Sequence, residues 1–448
     1  MKTKMKFKAT ALILLIVIFL GFPGTTIAQE AEAKIDANEQ KLVIDSIAKI
    51  MKERYVFPDK GEEIGDLVRK NLKEGKYNDI EDPQQFAMKL TNDLRIVNND
   101  KHISVLYAPE MIAMVKKAKE DGNNKKLEEY EKRMNEYNNF EFKEVKILPG
   151  NVGYLKFNQF IDASFAGPTA ISAMNFLSNT DALIIDLTDN GGGSPSLIQL
   201  ITSYFFKDTE HLNSFYIRKG DKMKQFWTLP YVPGKKMTET DIYILTSMYT
   251  FSGAEEFTYN LKNMERATIV GKTTGGGAHP VSRYIMNENF IVHVPFGKAV
   301  NPITKTNWEG TGIKPHVEAE RSKAKETAYL MALEKLSEKE KNERIKQNID
   351  WAIVVLKAKL NPIDLDEKTT KSYVGTFGPR KITFENDALY YQREDNPKMK
   401  MIPMNKNTFR FEEIDYFHLQ IIKEGDEVVG VKGLYDTGRT DENKKSKG

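Results

Sequence analysis

A serine, a histidine and a glutamate, far apart in the chain, each sit in a context that bears on one kind of chemistry. Ser252 lies in Thr250-Phe251-Ser252-Gly253, after the apolar run Ile242 to Thr246 and before a segment where Ala254, Phe257, Leu261 and Met264 recur at helical spacing. Its hydroxyl stands where a strand ends and a helix begins, beside N–H groups that a helix leaves unpaired and that suit a developing oxyanion. The same place also suits a plain N-cap, for which serine is a preferred residue. His102 closes the turn-rich cluster Asn98-Asn99-Asp100-Lys101 and precedes the strand-like run Ile103 to Tyr107, so it occupies a loop-to-strand junction beside an acidic residue. Read alone, it is a surface histidine in a turn. Glu309, between Trp308 and Gly310 in the polar loop Asn301 to Gly312, is by itself an ordinary loop carboxylate. Two glycine runs, Gly191-Gly192-Gly193 and Gly275-Gly276-Gly277, each follow an apolar strand and either turn the chain or offer backbone N–H groups to an anion. A hydroxyl nucleophile needs a general base, and the base needs an orienting partner. Together the four features make a nucleophilic hydrolase set, provided the fold brings them together.

Composition narrows the alternatives. The chain has 448 residues, enough for two to four units, and a net charge of +3, so no global field marks a nucleic-acid binder. It has no Cys, which excludes a thiol nucleophile, a Cys-based metal site and a lipid-modified Cys after a leader. Its six His form no cluster at metal-ligand spacing, so neither metal nor cofactor is expected. The glycine run after Asp189-Asn190 is not G-x-G-x-x-G, which argues against dinucleotide binding. The first 28 residues carry Lys2, Lys4, Lys6 and Lys8, then an apolar run from Ala11 to Phe22 and small residues at Thr26-Ile27-Ala28. That is the layout of a secretory signal peptide, too short in its apolar part for a stable span. An exported, periplasmic or extracellular protein with no membrane span after leader cleavage is the expectation.

The elements that must carry the chemical residues follow in order. Three amphipathic helices are expected at Leu42 to Tyr55, Gly61 to Glu74 and Pro83 to Val97, making an N-terminal helical domain over 29–100. From 101 to 320 strands and helices alternate around runs such as Ala182 to Leu187, which argues for an α/β core, with a charged helical insertion at 110–140. Charged helices follow as a linker over 321–368. Short alternating strands from 369 to 436 predict a small antiparallel barrel or sandwich, and 437–448 reads as a disordered tail.

The segments NNDKHISVLY, DALIIDLTDNGGGSPSLIQL, LTSMYTFSGAEEFTYNLKNMERATIVGKTTGGGAHP and NPITKTNWEGTGIKPHVEAE together resemble the tail-specific (C-terminal processing) protease superfamily, over roughly Leu42 to Glu320. The nearer branch is the one holding the tricorn core and interphotoreceptor retinoid-binding protein. The resemblance implies a crotonase/ClpP-like βα core and a serine endopeptidase acting on a peptide or protein substrate in the bacterial cell envelope. It places the nucleophile on Ser252, the base on His102 and the assisting acid on Glu309. The oxyanion donors fall on Gly253 and on Gly192 or Gly193. The processing branch uses a Ser–Lys dyad, and its lysine position falls on Gly277, so His102 is the base. Thr188 stands where the family usually has Arg, His316 where Asp often follows Pro, and Lys101 where the tricorn core has Ser. A catalytically weak ligand-binding or scaffold protein on the same fold is the alternative. A penicillin-recognising hydrolase has thinner support, from Ser46-Ile47-Ala48-Lys49, Ser322-Lys323-Ala324-Lys325 and the loose Lys272-Thr273-Thr274-Gly275.

Overall fold

A computed structural model of the protein describes residues 33–120 and 124–446. The expected leader at 1–28 lies outside the described residues. The chain runs from an N-terminal helical region through a mixed α/β core to a small all-β C-terminal unit.

The core is a six-stranded sheet ordered Val317–Glu318, Ala267–Gly271, Asp241–Thr246, Ala182–Asp186, Val152–Phe157, Phe142–Leu148, parallel throughout except for the antiparallel last pair. Its strands are apolar on both faces because both faces are covered. Leu183, Ile185, Ile242, Ile244 and Ile269 pack against the helices Ala163–Leu177, Pro195–Ser203 and Gly253–Asn263. Ala182, Ile184, Tyr243, Leu245 and Val270 pack on the other side against Ala324–Lys339 and Glu343–Leu360. Each fully buried Leu or Ile in these layers contributes about 2 kcal/mol from area removed from water.

This corrects the expected linker. The helices from 324 to 360 are charged outside, but Ala324, Ala328, Ala332, Leu333 and Ile349 are buried on the sheet, so they form one of its covering layers. Small alanines make that stripe inconspicuous among many charges.

The N-terminal helices span Ala37–Arg54, Pro58–Lys73 and Pro83–Arg95, within a few residues of expectation. They do not pack alone. Ser104–Tyr107 pairs with Phe290–Pro295, which pairs with Val281–Ile285. Val105, Phe290, Val292 and Val294 share one core with Ile44, Ile47, Phe86 and Leu90 of the helices. The residue His102 therefore enters the molecule at the seam between helical region and α/β core.

Two strands, the largely enclosed His211–Ile217 and the mostly exposed Lys222–Trp227, form a hairpin that pairs with Gly297–Val300. In the C-terminal unit a four-stranded and a five-stranded antiparallel sheet share the core of Ile382, Leu389, Tyr391, Phe409, Leu419 and Val431. The expected disordered tail is also corrected. Thr440–Lys444 pairs with Gly430 to Leu434 as the outermost strand, anchored by Asp441 to the buried Arg380 at 2.6 Å. A polar edge strand carries no apolar alternation because backbone pairing holds it. Among the described residues no helix is long and apolar enough to cross a membrane.

Candidate active site

The turn before Ser252 is stitched to the exit of the neighbouring strand. Thr250 Oγ1 donates to the Leu187 carbonyl at 2.7 Å, Ser247 Oγ to that of Thr188 at 2.5 Å, and the Phe251 N–H to that of Asn190 at 3.0 Å. These bonds hold Ser252 at φ 53° and ψ −118°, a left-handed backbone that a non-glycine residue adopts only where its surroundings impose it. The Ser252 N–H donates to Glu255 Oε2 at 2.9 Å, half of a Ser-x-x-Glu box. The hydroxyl makes no cap hydrogen bond and stands instead 2.9 Å from His102 Nε2. Ser252 thus occupies the N-cap position of the helix Gly253–Asn263 while its hydroxyl lies within hydrogen-bond reach of a histidine.

Asp100 sets the position of His102. Its carboxylate is fully buried; Oδ1 accepts the His102 N–H at 3.0 Å, and Oδ2 accepts from Tyr55 at 3.1 Å and from His279 Nδ1 at 2.6 Å. Burial opposes its ionisation, yet the His279 hydrogen bond and the nearby imidazoles hold its carboxyl below the usual range. The His102 ring lies against Phe251, centroids 4.7 Å apart, and burial pushes its pKa down to about 4 with Asp100 pulling the other way. A neutral imidazole facing a serine hydroxyl across neutral pH is a base ready to take a proton.

Glu309 sits on a loop pinned by Trp308, whose indole N–H donates to the Gly277 carbonyl at 2.7 Å. Its Oε2 accepts the Ala278 N–H at 2.5 Å and lies 3.5 Å from His279 Nδ1. Its Oε1 is buried without a partner, and so is Nδ1 of His102. Burial, reinforced by Asp100, pushes the Glu309 carboxyl up to about 7. No spacing in the sequence announced a metal cluster, yet one ligand atom each from Asp100, His102 and Glu309 lie within 4.8 Å of one another. These three are the described residues whose placement could hold an ion. Both oxygens of Asp100 already accept hydrogen bonds.

The first glycine run approaches the same point. Gly192 and Gly193 have φ of 100° and 138°, and a Cβ on Gly192 would fall 2.8 Å from the Ser252 Cβ. The Gly192 N–H is taken by Asn190 Oδ1 at 2.9 Å. Among the described residues no acceptor meets the N–H of Gly193 or of Gly253. A Cβ on Gly253 would lie 2.8 Å from the Gly193 nitrogen, so the two free amides are neighbours.

The second glycine run makes the floor. Glu255 is buried and accepts from Thr274 Oγ1 at 2.5 Å, Gly276 N–H at 2.7 Å and Gly277 N–H at 2.8 Å, besides Ser252. Lys101 Nζ donates to the Gly275 carbonyl at 2.5 Å. Ser252, His102 and Glu309, separated by long stretches of chain, thus meet with Gly193 and Gly253 in one place. Asp100, Glu255 and His279 complete that place and were not singled out from the sequence. Glu255 and Asp100 had local signals, one three residues after Ser252 and the other two before His102, whereas His279 had none.

Residues 151–319 match the model of peptidase family S41, and residues 37–149 match the model of the N-terminal domain of Peptidase_S41 in eukaryotic IRBP. Between them they take up more than half of the chain and place it in the S41, tail-specific peptidase superfamily. Among solved structures it is similar to a candidate peptidase from Parabacteroides merdae, at 18% identity and TM-score 0.46, covering 66% of this chain and 96% of that one. A lipoprotein from Streptococcus agalactiae is similar at 16% identity and TM-score 0.45, with coverage of 66% and 96%. The photosystem II D1 C-terminal processing protease is similar at 14% identity and TM-score 0.40, with coverage of 63% and 93%.

Proposed function

We propose that the protein is an exported serine endopeptidase whose nucleophile is Ser252 and whose general base is His102. The observation that carries this reading is the 2.9 Å contact between Ser252 Oγ and His102 Nε2 at a strained strand-to-helix turn. The Ser252 oxygen attacks the peptide carbonyl while its proton passes to His102 Nε2, and the carbonyl oxygen takes up the negative charge. The free N–H groups of Gly253 and Gly193 receive that oxyanion; Gly192, engaged by Asn190, shapes the loop. His102 then hands its proton to the leaving amine, and the acyl-enzyme is opened by a water that His102 deprotonates in turn. Glu309, when ionised, stabilises the imidazolium from the Nδ1 side, where the ring nitrogen has no other partner.

The core is read as crotonase/ClpP-like, and the branch as the one with the tricorn core and the retinoid-binding relatives. Support comes from the match to an IRBP-type N-terminal domain and from a histidine, not a lysine, beside the serine. The basic and then apolar start of the sequence supports export.

The test is intact-mass labelling with a fluorophosphonate probe. One adduct is expected on the wild type and none on Ser252→Ala or His102→Ala, together with loss of peptide cleavage in both. Unchanged cleavage by Ser252→Ala would sink the mechanism. Absence of an adduct on folded wild type would move the protein to the ligand-binding alternative.

A further inference from the structure

Ser252, Gly253 and Gly193 border a cavity of about 440 Å³. The same cavity is walled by Phe215, Ile217, Phe226 and Phe296, and Glu256 lines it as well. Glu256 comes four residues after Ser252 on the helix Gly253–Asn263. Side chains on a helix lean toward its N-terminus, so this carboxyl is carried back toward the serine one turn away.

Its surroundings leave it without a counter-charge. Glu256 is 3% exposed, and no described cation lies within ion-pair distance of it. The fully buried Asn213 amide stands beside it as its one polar neighbour, close enough to draw the carboxyl toward ionisation but without an aligned hydrogen bond. A buried carboxylate is costly unless it is paired with a cation or neutral, and Asn213 supplies no charge. Burial pushes the Glu256 carboxyl up to about 7, with Asn213 acting the opposite way. The aromatic wall accepts positive charge: the Lys224 ammonium lies 4.8 Å from the centroid of the Phe226 ring. Lys224 is exposed and His279 also lines the cavity, so these are the other titratable groups that face it.

We propose that this cavity receives the substrate side chain on the acyl side of the cleaved bond, and that Glu256 selects lysine or arginine there. The inference rests on the peptidase reading, because it takes the carbonyl to lie between Ser252 and the amides of Gly193 and Gly253. From that point the neighbouring side chain enters the cavity. Its methylene stem meets the phenylalanines, and its cationic end meets the carboxyl that the fold leaves without a counter-charge. A neutral aliphatic residue would fill the walls and leave the Glu256 carboxyl without a counter-charge, which is how buried polar groups reject an analogue lacking the matching group.

Equilibrium binding of benzamidine and of neutral benzamide to the whole protein tests the pocket without requiring turnover. The expected result is benzamidine binding at least tenfold tighter than benzamide on the wild type, kept in Ser252→Ala and weakened at least tenfold in Glu256→Gln. Peptide-library profiling should show arginine or lysine before the cleaved bond, with the Arg-to-Leu ratio of kcat/KM falling at least tenfold in Glu256→Gln. Equal binding of the two probes to the wild type overturns the proposal even if Glu256→Gln fails to fold. Equal benzamidine binding by wild type and Glu256→Gln overturns it too. Fluorophosphonate labelling separates the two readings. Labelling without charge selectivity removes the pocket proposal alone, whereas charge selectivity without labelling removes the peptidase reading and leaves a cation-binding cavity.

Discussion

Glu255, bound to the Ser252 amide, and Glu309, grouped with His102, are treated by the fold in opposite ways. Glu255 is buried with four donors around it, from Ser252, Thr274, Gly276 and Gly277. Glu309 is also largely enclosed, yet it holds one backbone N–H, from Ala278, and keeps a buried oxygen with no partner. Burial raises the pKa of both, but at Glu255 the four hydrogen bonds work against that rise. A carboxylate whose lone pairs are all spoken for is a structural knot. One with a vacant oxygen, grouped with an imidazole that also has a vacant nitrogen, is available to respond when a proton arrives. On the proposed mechanism, partner count more than burial separates scaffold from machinery.

The sharpest way to break the comparison is at the knot. Glu255→Ala strands four buried donors at once and should destabilise the protein by about 3 kcal/mol or more. The fall should appear as a lowered denaturation midpoint with an unchanged slope, accompanied by loss of fluorophosphonate labelling as the turn at Ser252 relaxes. A Glu255→Ala protein as stable as the wild type would mean that the glycine loop is held by other contacts.

Gly277→Ala should act on geometry with a smaller effect on stability. A Cβ there would stand 2.6 Å from His102 Cε1 and 2.3 Å from the Phe251 ring, so the imidazole must move. Displacement of a base by even an ångström costs on the order of a hundredfold in kcat/KM. On the resemblance drawn from the sequence, Gly277 is also the position expected for the lysine of a Ser–Lys dyad. The space a lysine would need is filled in this chain by the His102 ring, so the two kinds of base exclude each other sterically. An unimpaired Gly277→Ala enzyme would show that the His102 site is softer than its packing indicates.

Much of this was legible in the sequence where signals are local. The apolar runs at 152–157, 182–186 and 241–246 became the central strands, and the three N-terminal helices fell close to their periodicity. Ser252 and His102, expected as a pair, stand at hydrogen-bond distance. What stayed hidden was carried by contacts with no sequence spacing. Asp100 and His279 are 179 positions apart, and neither lies in a pattern that announces the other. The hairpin of 211–227 escaped because most of Lys222–Trp227 is exposed and only Phe226 is buried, so backbone pairing rather than apolar alternation holds it. The same physics hid the strand at 440–444. The glycine run at 191–193 named two oxyanion candidates, and only the hydrogen bond from Gly192 to Asn190 distinguishes them.

The smallest effect sharpens the comparison at the other carboxylate, through pH. His102 has its pKa near 4 and is neutral well below neutrality, so its own deprotonation does not limit the base at pH 6. Glu309, pushed up to about 7, is neutral below that point and charged above it. If its charge stabilises the imidazolium, kcat/KM should rise with pH through about 7. Glu309→Gln should then lower kcat/KM by roughly tenfold at pH 8, about 1.4 kcal/mol of transition-state stabilisation, and move the acid limb down toward about 4. Glu256 also titrates near 7, so the profile must be taken with a substrate that places an uncharged residue in its cavity. A limb that stays near 7 in Glu309→Gln would assign it to another group and reduce Glu309 to a loop anchor, erasing the contrast with Glu255. A limb that moves while kcat falls and KM holds would locate the Glu309 charge in the transition state, where an unsatisfied oxygen beside His102 is of use.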